Sequence, residues 1–118
     1  MKPQIKAIYI AVKDMDRAIK FYEDIFEVKV SSKDKRMSLF EFDNITFLLF
    51  DPKIDNEKVS FGNNVVPNIE VDNINKMLEL IKSKKCEIVL PLEKVKEYKL
   101  FQAKDTEGNV IEFYQIKA

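Results

Sequence analysis

The stretch IYIAVKDMDRAIKFYEDIF, residues 8–26, decides how this chain is read. It completes IKAIYIAV, residues 5–12, which is β-rich and mostly apolar and predicts a buried strand. Asp14 follows as a helix N-cap. From there Met15, Ala18, Ile19, Tyr22, Ile25 and Phe26 recur at helical spacing and form one apolar stripe. A strand feeding an amphipathic helix needs a sheet for that stripe to cover.

Downstream segments supply the sheet. EVKVSS, residues 27–32, reads as a short strand, and RMSLFEF, 36–42, as another. Asp43 and Asn44 turn the chain into ITFLLF, 45–50. DPKIDNEKVSFGNN, 51–64, is polar, with Pro, Asn and Gly, and reads as a linker. The order then repeats. NVVPNIEV is a strand, Asp72 or Asn73 caps a helix, and Ile74, Met77, Leu78 and Ile81 make its stripe. CEIVL, 86–90, is a strand. PLEKVKEY, 91–98, reads as a loop and a candidate mobile lid. KLFQAKD pairs through the TEGN turn with VIEFYQI, 110–116.

Val12 aligns with Val71, Met15 with Ile74 and Ile19 with Leu78 at an offset of 59, and Asn44 aligns with Asn109. The expectation is an α+β fold of two βαβββ modules, 1–50 and 65–118, in a single domain of 118 residues. One helix covers one sheet face, so the other faces meet or line a shared cleft.

Composition removes several function classes. Lys+Arg and Asp+Glu are both 20, so the net charge is zero and nucleic acid or an anionic membrane is not an expected partner. Lys82, Lys84 and Lys85 read as a solvated helix end. There is no histidine, which removes Ser-His-Asp and Cys-His chemistry and the commonest metal ligand. Cys86 is the one cysteine, so no internal disulfide exists and a reducing cytoplasm fits. With no base to activate it, Cys86 reads as a core residue. Gly62 and Gly108 are the only glycines, too few for a phosphate-binding loop. No apolar run approaches membrane-spanning length.

Strand alternation assigns candidate site residues. Ile8, Ile10 and Val12 go with the first helix, leaving Tyr9 opposite. Ile69 and Val71 go with the second helix, leaving Asn68 and Glu70 opposite. Ile111 and Phe113 do likewise, leaving Val110, Glu112 and Tyr114. Glu112 is thus either a hydrated charge near a strand end or a carboxylate aimed into a cleft. Aromatic and amide neighbours suit a small polar or cationic ligand.

Two motifs carry a family resemblance. Residues 8–26 resemble the opening module of the vicinal oxygen chelate superfamily, with a strand, V-x-D and a helix containing FYE. KDTEGNVIEFYQ, 104–115, resembles its closing signature, with Thr106 where proline is usual. The resemblance implies the glyoxalase/bleomycin-resistance/dioxygenase fold, a curved mixed sheet around a cleft, and a homodimer. It places metal ligands at Ala7, at Phe47 or one residue on at Leu48, at Val66 and at Glu112. Only Glu112 can bind a metal, and catalytic zinc normally takes three protein ligands. No cofactor is therefore expected, and lactoylglutathione lyase or dioxygenase activity is disfavoured.

The resulting expectation is a metal-free, bleomycin-resistance-like protein binding an unknown small molecule. Its candidate ligand-binding residues are Tyr9, Phe47, Leu49, Asn68, Glu70, Glu112 and Tyr114. Two alternatives stay open. One is a structural or partner-binding dimer whose cleft is filled by aromatics, for which nine phenylalanines suffice. The other is a metal-independent lyase or isomerase using Glu112 as base.

Overall fold

The computed structural model describes residues 1–2, 4–63 and 65–116. Asn64, the last residue of the expected linker, and positions 117–118 of the second module lie outside the described residues. The chain forms two compact units, Met1–Ser60 and Phe61–Ala118.

The first unit runs β1 (Ala7–Ala11), α1 (Met15–Phe26), β2 (Met37–Glu41) and β3 (Thr46–Phe50). Asp14 caps α1, its side chain accepting from the Arg17 N–H at 3.1 Å. Glu27 ends the helix in the left-handed region, at φ 56°. β1 pairs parallel with β3 and β2 pairs antiparallel with it, giving the order β1-β3-β2. Asp43 and Asn44 make the two-residue turn, closed by the Phe42 N–H on the Ile45 carbonyl at 3.0 Å.

The expected strand at 27–32 is reduced to one bridge between Ser32 and Leu39. Backbone bonds there are confined to Ser31 and Ser32 against Leu39, and side chains supplement them. The Val30 N–H donates to Glu23, and the Glu41 N–H donates to the Ser31 hydroxyl, each at 2.9 Å. Val28 is exposed, so no packing draws the segment into the sheet.

The second unit runs β4 (Asn68–Glu70), α2 (Ile74–Ser83), β5 (Ile88–Val95), β6 (Tyr98–Lys104) and β7 (Val110–Ile116). Asn73 is the cap of α2, accepting from the Lys76 N–H at 3.1 Å. The sheet order is β4-β7-β6-β5, with β4 parallel to β7 and the other pairs antiparallel. Both units therefore share one topology, in which the strand before the helix joins the last strand in parallel.

The expected loop and lid at 91–98 is a hairpin. β5 and β6 pair across a two-residue turn at Lys96 and Glu97, with Lys96 at φ 56°. Pro91 lies in β5, an edge strand, where a missing N–H is tolerated. The register shifts on both sides of Leu90 accompany it.

The turn from β6 to β7 explains the closing motif. The buried Asp105 carboxylate accepts from the N–H groups of Glu107, at 2.8 Å, and Asn109, at 2.9 Å. Gly108 takes φ 92°, which a side chain would strain.

Each core lies between its helix and one sheet face. In the first unit Phe47 and Phe26 form the hub. Phe47 meets Tyr22 at 5.1 Å and Phe26 at 5.6 Å, and Phe26 meets Phe40 at 5.4 Å. In the second, Ile74 and Ile81 are buried, and Phe101 stacks on its strand partner Phe113 at 5.1 Å. Among the described residues no helix is long and apolar enough to cross a membrane.

Candidate functional site

The second sheet turns one face away from α2, and its register arranges that face in rows. One row holds Asn68, Glu112, Gln102 and Leu90, from β4 across to β5. The next holds Glu70, Tyr114, Leu100 and Glu93. A third holds Ile116, Tyr98 and Val95. Neighbouring members of a row are one strand spacing apart, about 4.8 Å. Asn68, Glu70, Glu112 and Tyr114 are thus brought together on one face.

Glu112 is half-buried on β7, which has a strand on each side. Gln102 donates from Nε2 to Glu112 Oε1 at 2.8 Å. Among the described residues Oε2 has no donor. Gln102 thereby fixes the plane of the carboxylate and leaves one oxygen as an acceptor. One row on, Tyr114 stands opposite Glu70 in the register. Its pKa is raised, first by desolvation, then by the Glu70 charge and by Tyr98. Tyr114 therefore remains a neutral donor at physiological pH. The Tyr98 and Tyr114 rings meet edge to face, 6.0 Å apart.

In the first unit, Tyr9 lies on the face away from α1 and is 62% exposed. Leu48 stands beside it in the register, and the Phe50 ring approaches Tyr9 at 5.7 Å. Arg36 sits over Phe50 at 6.0 Å and bonds Asp55 at 2.7 Å.

Phe47 and Leu49 require a correction. Their register partners are Ile8 and Ile10, the helix-side residues of β1, and both are buried. Phe47 packs on the α1 rings instead of lining the opposite face. TFLLF is apolar at every second position in both phases, so alternation alone cannot orient it. Leu48 holds the position assigned to Phe47.

Gln102 and Tyr98 share the face of Glu112 and Tyr114 but were missed as candidate site residues. Gln102 was legible in principle. A turn over Asp105–Asn109 that pairs Lys104 with Val110 necessarily sets Gln102 opposite Glu112. Tyr98 was hidden by reading 91–98 as a loop.

The metal positions implied by the resemblance can be tested on their donor chemistry. Ala7 and Leu48 share the Tyr9 face, and Val66 lies two residues before β4. None carries a donor, and Glu112 already accepts from Gln102. No group of three or more His, Cys, Asp or Glu among the described residues is placed to hold an ion. The residues present do not fit a divalent metal site.

A repeated strand–helix–sheet unit, with a polar and aromatic sheet face opposite each helix, defines a class of paired-module α+β proteins. The family model for the Glyoxalase/Bleomycin resistance protein/Dioxygenase superfamily matches residues 4–113, and this chain belongs to that superfamily. No curated protein matches the chain closely. Among solved structures, it is similar to a lactoylglutathione lyase from Agrobacterium tumefaciens, at 18% identity and TM-score 0.71, with 97% of this chain and 94% of that one covered. It is also similar to a glyoxalase-related enzyme from Fulvimarina pelagi, at 11% identity and TM-score 0.79, covering 95% and 87%. A glyoxalase/bleomycin resistance protein/dioxygenase from Nocardioides gives 16% identity and TM-score 0.74, covering 99% and 85%. At such identities the likeness shows the fold, and chemistry has to be argued from the site.

Proposed function

We propose that this protein binds a small polar or cationic molecule on the helix-free face of its second sheet, without a metal, and that Glu112 anchors it. The observation that carries this reading is the Gln102–Glu112 bond. A half-buried carboxylate is costly without partners. Here one oxygen is satisfied by a neutral amide, and no lysine or arginine pairs with Glu112 among the described residues. The carboxylate is therefore oriented, with one oxygen left for an incoming donor. Asn68 stands beside it with a further donor and acceptor.

Lactoylglutathione lyase and dioxygenase chemistry is not part of the proposal, because Ala7, Leu48 and Val66 supply no donors at the positions the resemblance implies. A homodimer, also implied by that resemblance, belongs to the proposal, and light scattering at the mass of one chain would remove it.

Thermal unfolding in the presence of small amines, guanidinium, glutathione adducts and divalent metal salts tests the reading. A ligand of the native state at a hundredfold excess over Kd stabilises by about 2.7 kcal/mol. We expect at least one donor-rich small molecule to raise Tm in the wild type and to lose that effect in Glu112→Gln. Metal salts should leave Tm unchanged. Stoichiometric metal in the purified protein, or an undiminished ligand response in Glu112→Gln, would overturn it.

A further inference from the structure

We propose that the corner formed by Tyr98, Tyr114 and Glu70 receives an alkylated ammonium group, so that the ligand of the second sheet is a substituted ammonium compound. The inference rests on the preceding reading and names the ligand class.

Three observations converge on it. The Tyr98 and Tyr114 rings stand at 69° to each other with centroids 6.0 Å apart, so they form two walls of a corner rather than a closed stack. Tyr98 is partly exposed and Tyr114 half-buried, so the corner is not filled from within the unit. Glu70 stands directly opposite Tyr114 in the register and is exposed. Aromatic faces attract cations through the ring quadrupole, and more strongly when the cation is poorly hydrated, as an alkylated ammonium is.

The charge of the surrounding face points the same way. Glu70 and Glu93 occupy the two ends of the Tyr114 row, and Glu112 lies in the next row. No lysine or arginine stands in these rows; Lys104, two rows on from Tyr114, is engaged by Glu87 at 3.4 Å, and Lys96 lies in the turn beside Tyr98. A chain with no net charge has thus gathered carboxylates around an aromatic pair. Desolvation and the Glu70 charge raise the Tyr114 pKa, so its ring is not made anionic. An anion would meet repulsion here, and a neutral apolar group would gain contact with the rings alone. A trimethylammonium group gains both the ring attraction and the carboxylate field.

The test titrates the full chain with choline and with 3,3-dimethylbutan-1-ol, its neutral isostere, by calorimetry or by amide chemical shifts. We expect choline to bind at least about tenfold more tightly, a difference of about 1.4 kcal/mol. Tyr98→Ala should weaken choline about tenfold, and Tyr98→Phe, which keeps the ring, should retain it. Tyr98 is partly exposed and next to a turn, and the melting temperature of each variant checks that it is folded. Equal binding of the two probes, no binding of choline, or an unchanged affinity in folded Tyr98→Ala would overturn the inference. If that happens while amine binding still disappears in Glu112→Gln, the Glu112 reading stands and only the ammonium assignment falls. If choline binding depends on Tyr98 while Glu112→Gln changes nothing, the ammonium assignment stands and the Glu112 anchor falls.

Discussion

Tyr114 stands opposite Glu70 on a face that also carries Glu112. Desolvation and the neighbouring carboxylate both disfavour the phenolate, so the native pKa lies above the ordinary tyrosine value near 10. Because the folded value exceeds the unfolded one, the folded state holds this proton longer. The stability that follows is complete below the unfolded pKa and is lost as pH rises through the native one. Phenolate absorbance during alkaline titration should therefore show one tyrosine ionising later than a free phenol. Tyr114→Phe should remove that late component and flatten the alkaline loss of stability. A Tyr114 phenol that ionises at the ordinary value would contradict this effect of desolvation and of the Glu70 charge. Glu112 shows how far a single residue could be read. Its face follows from the alternation of VIEFYQ, whereas its bond to Gln102 depends on a partner in another strand.

At the scale of elements, the two helices begin as local chemistry dictates. Asp14 and Asn73 each place a side-chain oxygen on the N–H three residues on, at 3.1 Å. Asn73→Ala should lower stability by about 1 kcal/mol, measured as a shift in the denaturation midpoint with unchanged slope. Asn73→Asp should keep most of that stability, since an aspartate caps as well. No loss in Asn73→Ala would mean that packing of Ile74 and Ile81 alone sets the helix start. The Asp14 cap, both helical stripes and the turn at Asp105–Asn109 were legible because each depends on residues within one turn of chain, whereas Asp72 and Asn73 were equal candidates for the second cap. The hairpin at 91–98 was not legible. Its proline and charged residues lower strand propensity, and the edge position of β5 accommodates them. Residues 27–32 failed in the opposite direction. They alternate like a strand, but Val28 is exposed and the Val30 N–H is taken by the Glu23 side chain, so backbone pairing is confined to Ser31 and Ser32 against Leu39.

For the molecule as a whole, the phase of β3 separates the buried core from the opposite face of the first sheet. Phe47→Ala should cost about 3–5 kcal/mol, because its ring is locked between Tyr22 and Phe26. Tyr9→Ala, on the opposite face and largely exposed, should cost less than about 1 kcal/mol. Melting temperatures of the two variants compare them directly, and equal losses would show that the assigned phase of the first sheet is wrong. The sequence by itself determined the repeat, the two helices, the cap at Asp14, the tight turn before β7, and the presence of one acid, Glu112, among the positions the resemblance assigns to metal ligands, which otherwise fall on Ala7, on Phe47 or Leu48, and on Val66. Those features arise from local periodicity, backbone capping and residue chemistry. Only the tertiary structure decided which side of TFLLF meets α1, that 91–98 joins the sheet, and that Gln102 holds Glu112. Strand alternation defines two faces without naming the buried one, and cross-strand partners are fixed by register, which depends on residues distant in the chain.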